Sequence, residues 1–271
     1  MGRVLAVMSG KGGVGKSTLA VNLAVALSRG GARVGILDAD LHGPSVAQML
    51  GLRGEPVRLS VGGGRDEALR PAPGPAGLRV QSMDFFLQGN QALDWDGEAG
   101  EGASLRSALE QAALADLLGF TDWGELDVLV VDLPPGSDRL PALARWLPAA
   151  SAALAVTIPT AVAMLAVERS LRRAHALRFP VLGIVENFAS STCPRCGAEA
   201  PLWHEASAES LADATAVPVV ARLPFDARLA RDADAGRLFL DGEGIASPAG
   251  RALIALADLV AAWRGAEGEA C

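Results

Sequence analysis

The sequence predicts an α/β fold: a mostly parallel, twisted sheet with helices on both faces. Three observations lead there. Apolar, β-branched runs alternate with stretches of helical spacing, those runs are nearly unbroken, and a glycine-rich loop joins the first run to the first helix. Strands covered on both faces read as continuous apolar runs, and strand–helix alternation is the signature of parallel pairing. In order, the pattern predicts a strand over Arg3–Met8, a helix from Lys16 to about Arg29 and a strand over Arg33–Leu37 that ends in Asp38-Ala39-Asp40. Gly51 to Gly77 is rich in Gly and Pro and reads as a long loop with room for a hairpin. Leu78–Met83 reads as a strand, Gly89–Gly102 as a mobile acidic loop, and Ser104–Leu118 as a helix. Strand Leu126–Val131 leads into Asp132-Leu133-Pro134-Pro135-Gly136. Strand 152–157, helix 161–176, strand Val181–Glu186, helix 206–215, strand Val217–Leu223 and a helix from Pro248 to Trp263 complete the chain. In such sheets ligands bind beyond the carboxyl ends of the strands. The glycine loop, both aspartate segments and the region of Asn187 all fall there.

Composition narrows the function. Nothing between residues 1 and 264 of the 271 resembles a linker, so one domain is expected over 1–264, with a flexible tail over 265–271. Half the residues are apolar, ample for a packed core. The net charge of -7 argues against sequence-blind nucleic-acid binding. Three cysteines are too few for a disulfide scaffold, and no charged-then-apolar leader precedes the first strand, so the cytoplasm is the expected compartment. Residues 146–167 carry no charge, but Pro148 and Pro159 interrupt them; a buried strand followed by a helix is the better reading, and no membrane partner is expected.

The lysines are more telling. Of 24 basic residues only Lys11 and Lys16 are lysine. Both sit in Gly10-Lys11-Gly12-Gly13-Val14-Gly15-Lys16-Ser17-Thr18, a phosphate loop between strand and helix. Glycines let successive backbone N–H groups converge on a phosphate, and the helix N-terminus adds positive potential. Lys16 is placed to reach the β- and γ-phosphates of a nucleotide, and the Ser17 hydroxyl to ligate Mg²⁺. Asp132, closing an apolar strand before a Pro-Pro-Gly turn, is placed to hold the Mg²⁺ shell through water, with Gly136 near the γ-phosphate. Asp38 and Asp40 could order Mg²⁺ waters or position an attacking water. The bland reading of all three aspartates is a cap or turn former.

Cys193-Pro194-Arg195-Cys196-Gly197 forms a two-ligand knuckle. Cysteines three apart around a tight turn aim both sulfurs at one metal, and zinc and [4Fe–4S] sites both need four protein ligands. Cys271 is terminal and His204 a poor cluster ligand, so a twofold dimer supplying Cys₄ is the economical solution. A cluster, a zinc ion and a redox dithiol all remain open on these residues alone. His42, His175 and His204 are most simply packing or surface residues.

Together these segments resemble the Mrp/ApbC group of deviant P-loop ATPases, relatives of MinD and ParA that act as iron–sulfur cluster carriers. The resemblance rests on four segments: Met8 to Thr18; Leu37-Asp38-Ala39-Asp40-Leu41-His42-Gly43-Pro44-Ser45; Asp132 to Gly136; and Val185-Glu186-Asn187-Phe188 followed by the cysteine knuckle, which MinD and ParA lack. It implies a MinD/ParA-like P-loop NTPase fold and a homodimer in which Lys11 reaches the partner's nucleotide. It also implies slow ATP hydrolysis involving Lys11, Lys16, Asp38, Asp40 and Asp132, an adenine contact from Asn187, and Pro224 and Asp226 flanking the base after the last strand. The implied cargo is a [4Fe–4S] cluster held by Cys193 and Cys196 of both subunits, with apo iron–sulfur proteins as recipients. After Gly136 this chain reads Ser137-Asp138-Arg139 where the group has Thr-Gly-Asp, and Trp95-Asp96-Gly97-Glu98 is acidic where the group is basic. A MinD-like positioning switch is the rival from the same fold; the stripe Leu253, Leu256, Val260 and Trp263 reads as core packing rather than as a membrane helix.

Overall fold

A computed structural model describes residues 2–60, 68–87, 103–136, 139–193, 195–203 and 207–263. Its strands are β1 (Arg3–Ser9), β2 (Val34–Asp38), β3 (Arg58–Ser60), β4 (Ala68–Arg70), β5 (Ala72–Pro73), β6 (Arg79–Ser82), β7 (Val128–Asp132), β8 (Ser151–Thr157), β9 (Val181–Thr192), β10 (Glu199–Pro201) and β11 (Val219–Phe225). Its helices are α1 (Lys16–Arg29), α2 (Val46–Met49), α3 (Ala103–Gly119), α4 (Arg139–Ala144), α5 (Ala161–Ala176), α6 (Ala208–Thr215), α7 (Ala227–Asp234) and α8 (Pro248–Ala262). The main sheet runs β10-β9-β8-β1-β7-β2-β6-β5, with β11 on β9; all its pairings are parallel except those of β10 and β5. β3 and β4 form a separate antiparallel pair across 61–67.

The alternation of side chains along each strand builds two cores. Leu5, Val7, Ile36, Val128 and Val130 face one side, against α1 and α8. Val4, Ala6, Met8, Leu129 and Val131 face the other, against α5, α6 and the C-terminal end of α3. Both faces of β1 and β7 are thus dry, which is why their sequences lack polar alternation. Leu253, Leu256 and Val260 of α8 are buried in the first core, as their spacing requires, and Trp263 receives the Arg3 guanidinium at 5.6 Å. Residues 146–167 become the end of α4's connection, β8 and the start of α5; among the described residues no helix is long and apolar enough to cross a membrane.

The structure departs from the sequence reading at several points, the unforeseen short elements α2, α4 and β10 among them. β9 does not stop at Glu186 but continues to Thr192, because its outer half pairs with β10 and β11. β11 runs to Phe225, so Pro224 lies inside the last strand rather than after it. Helix α7, which follows at once, had no counterpart in the predicted pattern. The acidic loop over 89–102, the tail over 265–271, His204 and Cys271 lie outside the described residues.

Candidate functional site

The phosphate loop is shaped by what packs around it. Gly15 has φ 83, in the left-handed region, and a Cβ there would lie 2.2 Å from Asn187 Nδ2. Gly10 sits against the backbone of Ala166 in α5, where a Cβ would fall 2.1 Å from its carbonyl carbon. Only glycine permits these approaches. Gly12 and Gly13 are exposed, Val14 is buried beneath the loop, and Thr18 is half-buried in the first turn of α1. Lys11 is exposed on the rim.

Behind the loop, the Lys16 ammonium donates to Asp132 Oδ1 at 2.6 Å and to Ser17 Oγ at 3.1 Å. Both partners of this ion pair are shielded, with 7% and 0% of the side chain exposed. Burial pushes the Asp132 carboxyl above the usual carboxylate range, and Lys16 pulls in the opposite direction. The second oxygen of Asp132, Oδ2, is buried with no hydrogen-bond partner among the described residues. A buried acceptor left unpaired costs free energy, so this atom is suited to a donor such as a metal-bound water.

Asp38 and Asp132 are register partners on β2 and β7, and their proximity divides the labour. Asp38 Oδ2 accepts from the backbone N–H groups of Ser45 (2.8 Å) and Val46 (2.9 Å) and from Ser82 Oγ (3.3 Å); its Oδ1 accepts from Asp40 N–H (3.2 Å). Burial, then repulsion from Asp132, raise its pKa to about 7. With both oxygens occupied, Asp38 holds the 38–46 turn. Asp40 is partly exposed, its carboxylate accepting from Gly43 N–H at 3.2 Å. Gly136, at φ 120, donates its N–H to the Ser9 carbonyl at 3.0 Å, which docks the turn after β7 onto the end of β1.

A pocket opens beside α1, lined by Gly15, Thr18, Asn187, Phe188, Phe225, Asp226 and Leu229 among others. Asn187 donates through Nδ2 to the Val14 carbonyl at 2.8 Å, tying β9 to the phosphate loop. Phe188 and Phe225 meet edge to face, centroids 5.6 Å apart. Asp226 caps α7 by accepting from Arg228 N–H at 3.0 Å, and its pairing with the Arg228 side chain lowers its pKa. Pro224 lines an adjoining depression with Ser191, Thr192 and Pro248, and Phe225 and Asp226 border both. Asn187 and Asp226 line the first pocket, and Pro224 lines the neighbouring one that Asp226 also borders. Phe188 was noted only as part of its segment, and Phe225 and Leu229 were not singled out; the signal available for Leu229 was Asp226 as an N-cap after a strand.

The cysteine pair lies at the tip of the β9–β10 hairpin. Gly197, at φ 73, closes the turn by donating to the Cys193 carbonyl (2.9 Å), and Cys193 N–H donates to Ala198 O (2.8 Å). Both thiols are exposed. Backbone N–H groups of Cys196 and Arg195 lower the pKa of Cys193, favouring the thiolate that binds metal. Among the described residues no three or more His, Cys, Asp or Glu side chains gather as a metal site. Glu186, just before Asn187, is taken up structurally: its buried carboxylate accepts from Ala208 N–H (2.7 Å) at the start of α6.

The family model described as ParA, NUBPL iron-transfer P-loop NTPase, matches residues 1–261. A protein of Pseudomonas fragi named iron-sulfur cluster carrier protein is 40% identical over 235 residues, which are 86% of this chain and 77% of that one. Its namesake in Saccharolobus solfataricus is 37% identical over 237 residues, 87% of this chain and 75% of the relative. Among solved structures, a nucleotide-binding protein from Archaeoglobus fulgidus in complex with ADP is 35% identical, with a TM-score of 0.72 over 89% of each chain. The MinD cell division protein of Aquifex aeolicus has a TM-score of 0.64 at 20% identity, over 95% of this chain and 96% of its own; this likeness concerns the fold.

Proposed function

Because the chain belongs to the ParA family of NUBPL-type iron-transfer P-loop NTPases, we propose that it is an ATP-dependent iron–sulfur cluster carrier. In this reading a homodimer holds a [4Fe–4S] cluster between two cysteine knuckles and delivers it to apo-proteins. Residues 1–264 act as one P-loop domain. The observation that carries the reading is the pairing of two features in one chain: a phosphate loop backed by an orphaned buried carboxylate oxygen, and an exposed dithiol turn with an N–H-stabilised thiolate.

The residues fit the groups assigned to them. Lys16 would exchange Asp132 for β- and γ-phosphate oxygens, and Ser17 and Asp132 are the residues that would hold Mg²⁺, Asp132 through water. Bound Mg²⁺ supplies charge neutralisation on the phosphates. Asp40 orients the attacking water, while Asp38 holds the turn that carries it. Gly136 trades its Ser9 carbonyl for the γ-phosphate, so the turn after β7 registers the nucleotide state. Asn187 and Asp226 stand on the wall where the base would lie.

Dimer formation has support beside the loop. Val162 and Leu165 are 66% and 52% exposed on α5, the helix that packs on Gly10, so apolar surface adjoins the exposed Lys11. Two cysteines per chain supply half of a four-ligand set.

The test is anaerobic reconstitution followed by iron, sulfide and zinc analysis and light scattering. The wild type is expected to hold about four irons per two chains, and Cys193→Ala to lose both the visible absorbance and the cluster-bridged dimer. Cluster-loaded protein that stays strictly monomeric would overturn the shared site. Zinc retained without sulfide would replace the cargo with a structural ion.

A further inference from the structure

The segment between the two sites has a feature that neither site requires alone. Strand β9 passes from the wall of the nucleotide pocket to the cysteine turn. Next to Asn187 it bends at Phe188, whose φ of 55 is unusual for a bulky residue. The bend sends the Phe188 ring against the phosphate loop, with its tip 3.7 Å from where a Cβ on Gly15 would stand. The Phe188 carbonyl oxygen accepts from the indole N–H of Trp203 at 3.1 Å.

Trp203 follows β10, the limb that returns from the cysteines. That limb is registered on β9 through Glu199 opposite Thr192 and Pro201 opposite Ser190, and the turn itself is closed by Cys193 and Gly197. One residue, Phe188, therefore walls the nucleotide pocket with its ring and anchors the cysteine hairpin with its carbonyl. The ring that a bound nucleotide would meet and the peptide group that Trp203 holds thus belong to one residue.

We infer that Trp203 is a positioning residue that couples occupancy of the nucleotide pocket to the geometry of the Cys193–Cys196 turn. The inference rests on the functional reading above in taking the pocket for a nucleotide site, and it adds the connection between that pocket and the metal-binding end. Coupling of this kind is reciprocal, so whatever nucleotide does to the turn, metal at the turn does to the nucleotide.

The test uses the reduced, metal-free full chain. Iodoacetamide labelling of Cys193 and Cys196 is followed by peptide mass spectrometry with and without Mg²⁺·ADP, at one fixed pH. In the wild type, ADP is expected to slow labelling about fivefold by holding the N–H···S geometry of the turn. Trp203→Phe keeps the ring and removes the donor; it is expected to bind ADP within about twofold of the wild type and to label at one rate in both states. A general loosening of the hairpin would raise both rates and leave their ratio intact. In the wild type, the Trp203 indole N–H resonance, identified by its loss in Trp203→Phe, is expected to shift when ADP is added. An unmoved resonance, no ADP effect on the wild type, or a full ADP effect in Trp203→Phe each overturns the coupling. ADP affinity and iron loading, measured on the same preparations, report separately on the underlying function: if both are normal while the coupling is absent, this inference alone fails.

Discussion

The phosphate loop and the cysteine turn are stabilised in opposite ways. The loop is pressed between α5 and Asn187, backed by a buried ion pair and rooted in β1, which is buried along nearly its whole length. The cysteine turn stands in solvent at the end of a hairpin, held by a few backbone bonds and the Trp203 indole. A site that must hold flexible phosphates benefits from rigidity before its ligand arrives. A site that collects two of four ligands gains definition only when the other two are present. In the proposed reading the protein therefore carries one preformed site and one that assembly would complete.

Substitutions can break or sharpen that contrast. The largest effect is expected from Lys16→Ala, which strands Asp132 in the core. Loss of one partner of a buried pair typically costs about 3–5 kcal/mol, and the urea midpoint should fall accordingly while nucleotide binding disappears. An unchanged midpoint would mean that the pair contributes nothing before ligand binds. Asp38 comes next. Its carboxyl titrates near 7 in the fold against 3.8 for the ordinary group, so the folded state holds the extra proton between those values. Nucleotide-free stability should therefore fall as pH rises from about 4 to about 7, and Asp38→Asn should flatten the slope in urea melts at several pH values. A wild-type slope of opposite sign would refute the assignment.

Smaller still is Asn187→Ala, which removes the bond to the Val14 carbonyl. About 1 kcal/mol of stability and a measurable loss of ADP affinity by calorimetry are expected together. Loss of one without the other would show that Asn187 serves the loop or the pocket, not both. Cys193→Ala should do least to the fold, within about 0.5 kcal/mol, because the thiol is exposed. A large drop in thermal stability there would mean that the turn supports the fold, and the contrast between the two regions would be lost.

How far these regions were legible from sequence follows the same division. Lys16, Ser17 and Asp132 could be assigned to one site because a phosphate loop has fixed spacing and a strand-terminal aspartate has few other reasons to precede Pro-Pro-Gly. The cysteine pair announced itself by spacing too. Asp38 was legible as a site residue, but not as the acceptor for four donors, since these come from the 40–46 turn and from β6. Pro224 was read as following the last strand, whose end is set by pairing with β9 and falls at Phe225.

From its residues alone, this chain determined the parallel sheet, the phosphate loop and the close pairing of Cys193 with Cys196. Those depend on local spacing and on which strands are dry. Only the tertiary structure decided that Phe188, Phe225 and Leu229 wall a pocket, that β9 reaches past the sheet to Thr192, and that Trp203 closes back onto Phe188. Each is a meeting of segments distant along the chain or a consequence of strand pairing, and no periodicity in a single segment encodes which partner it will find.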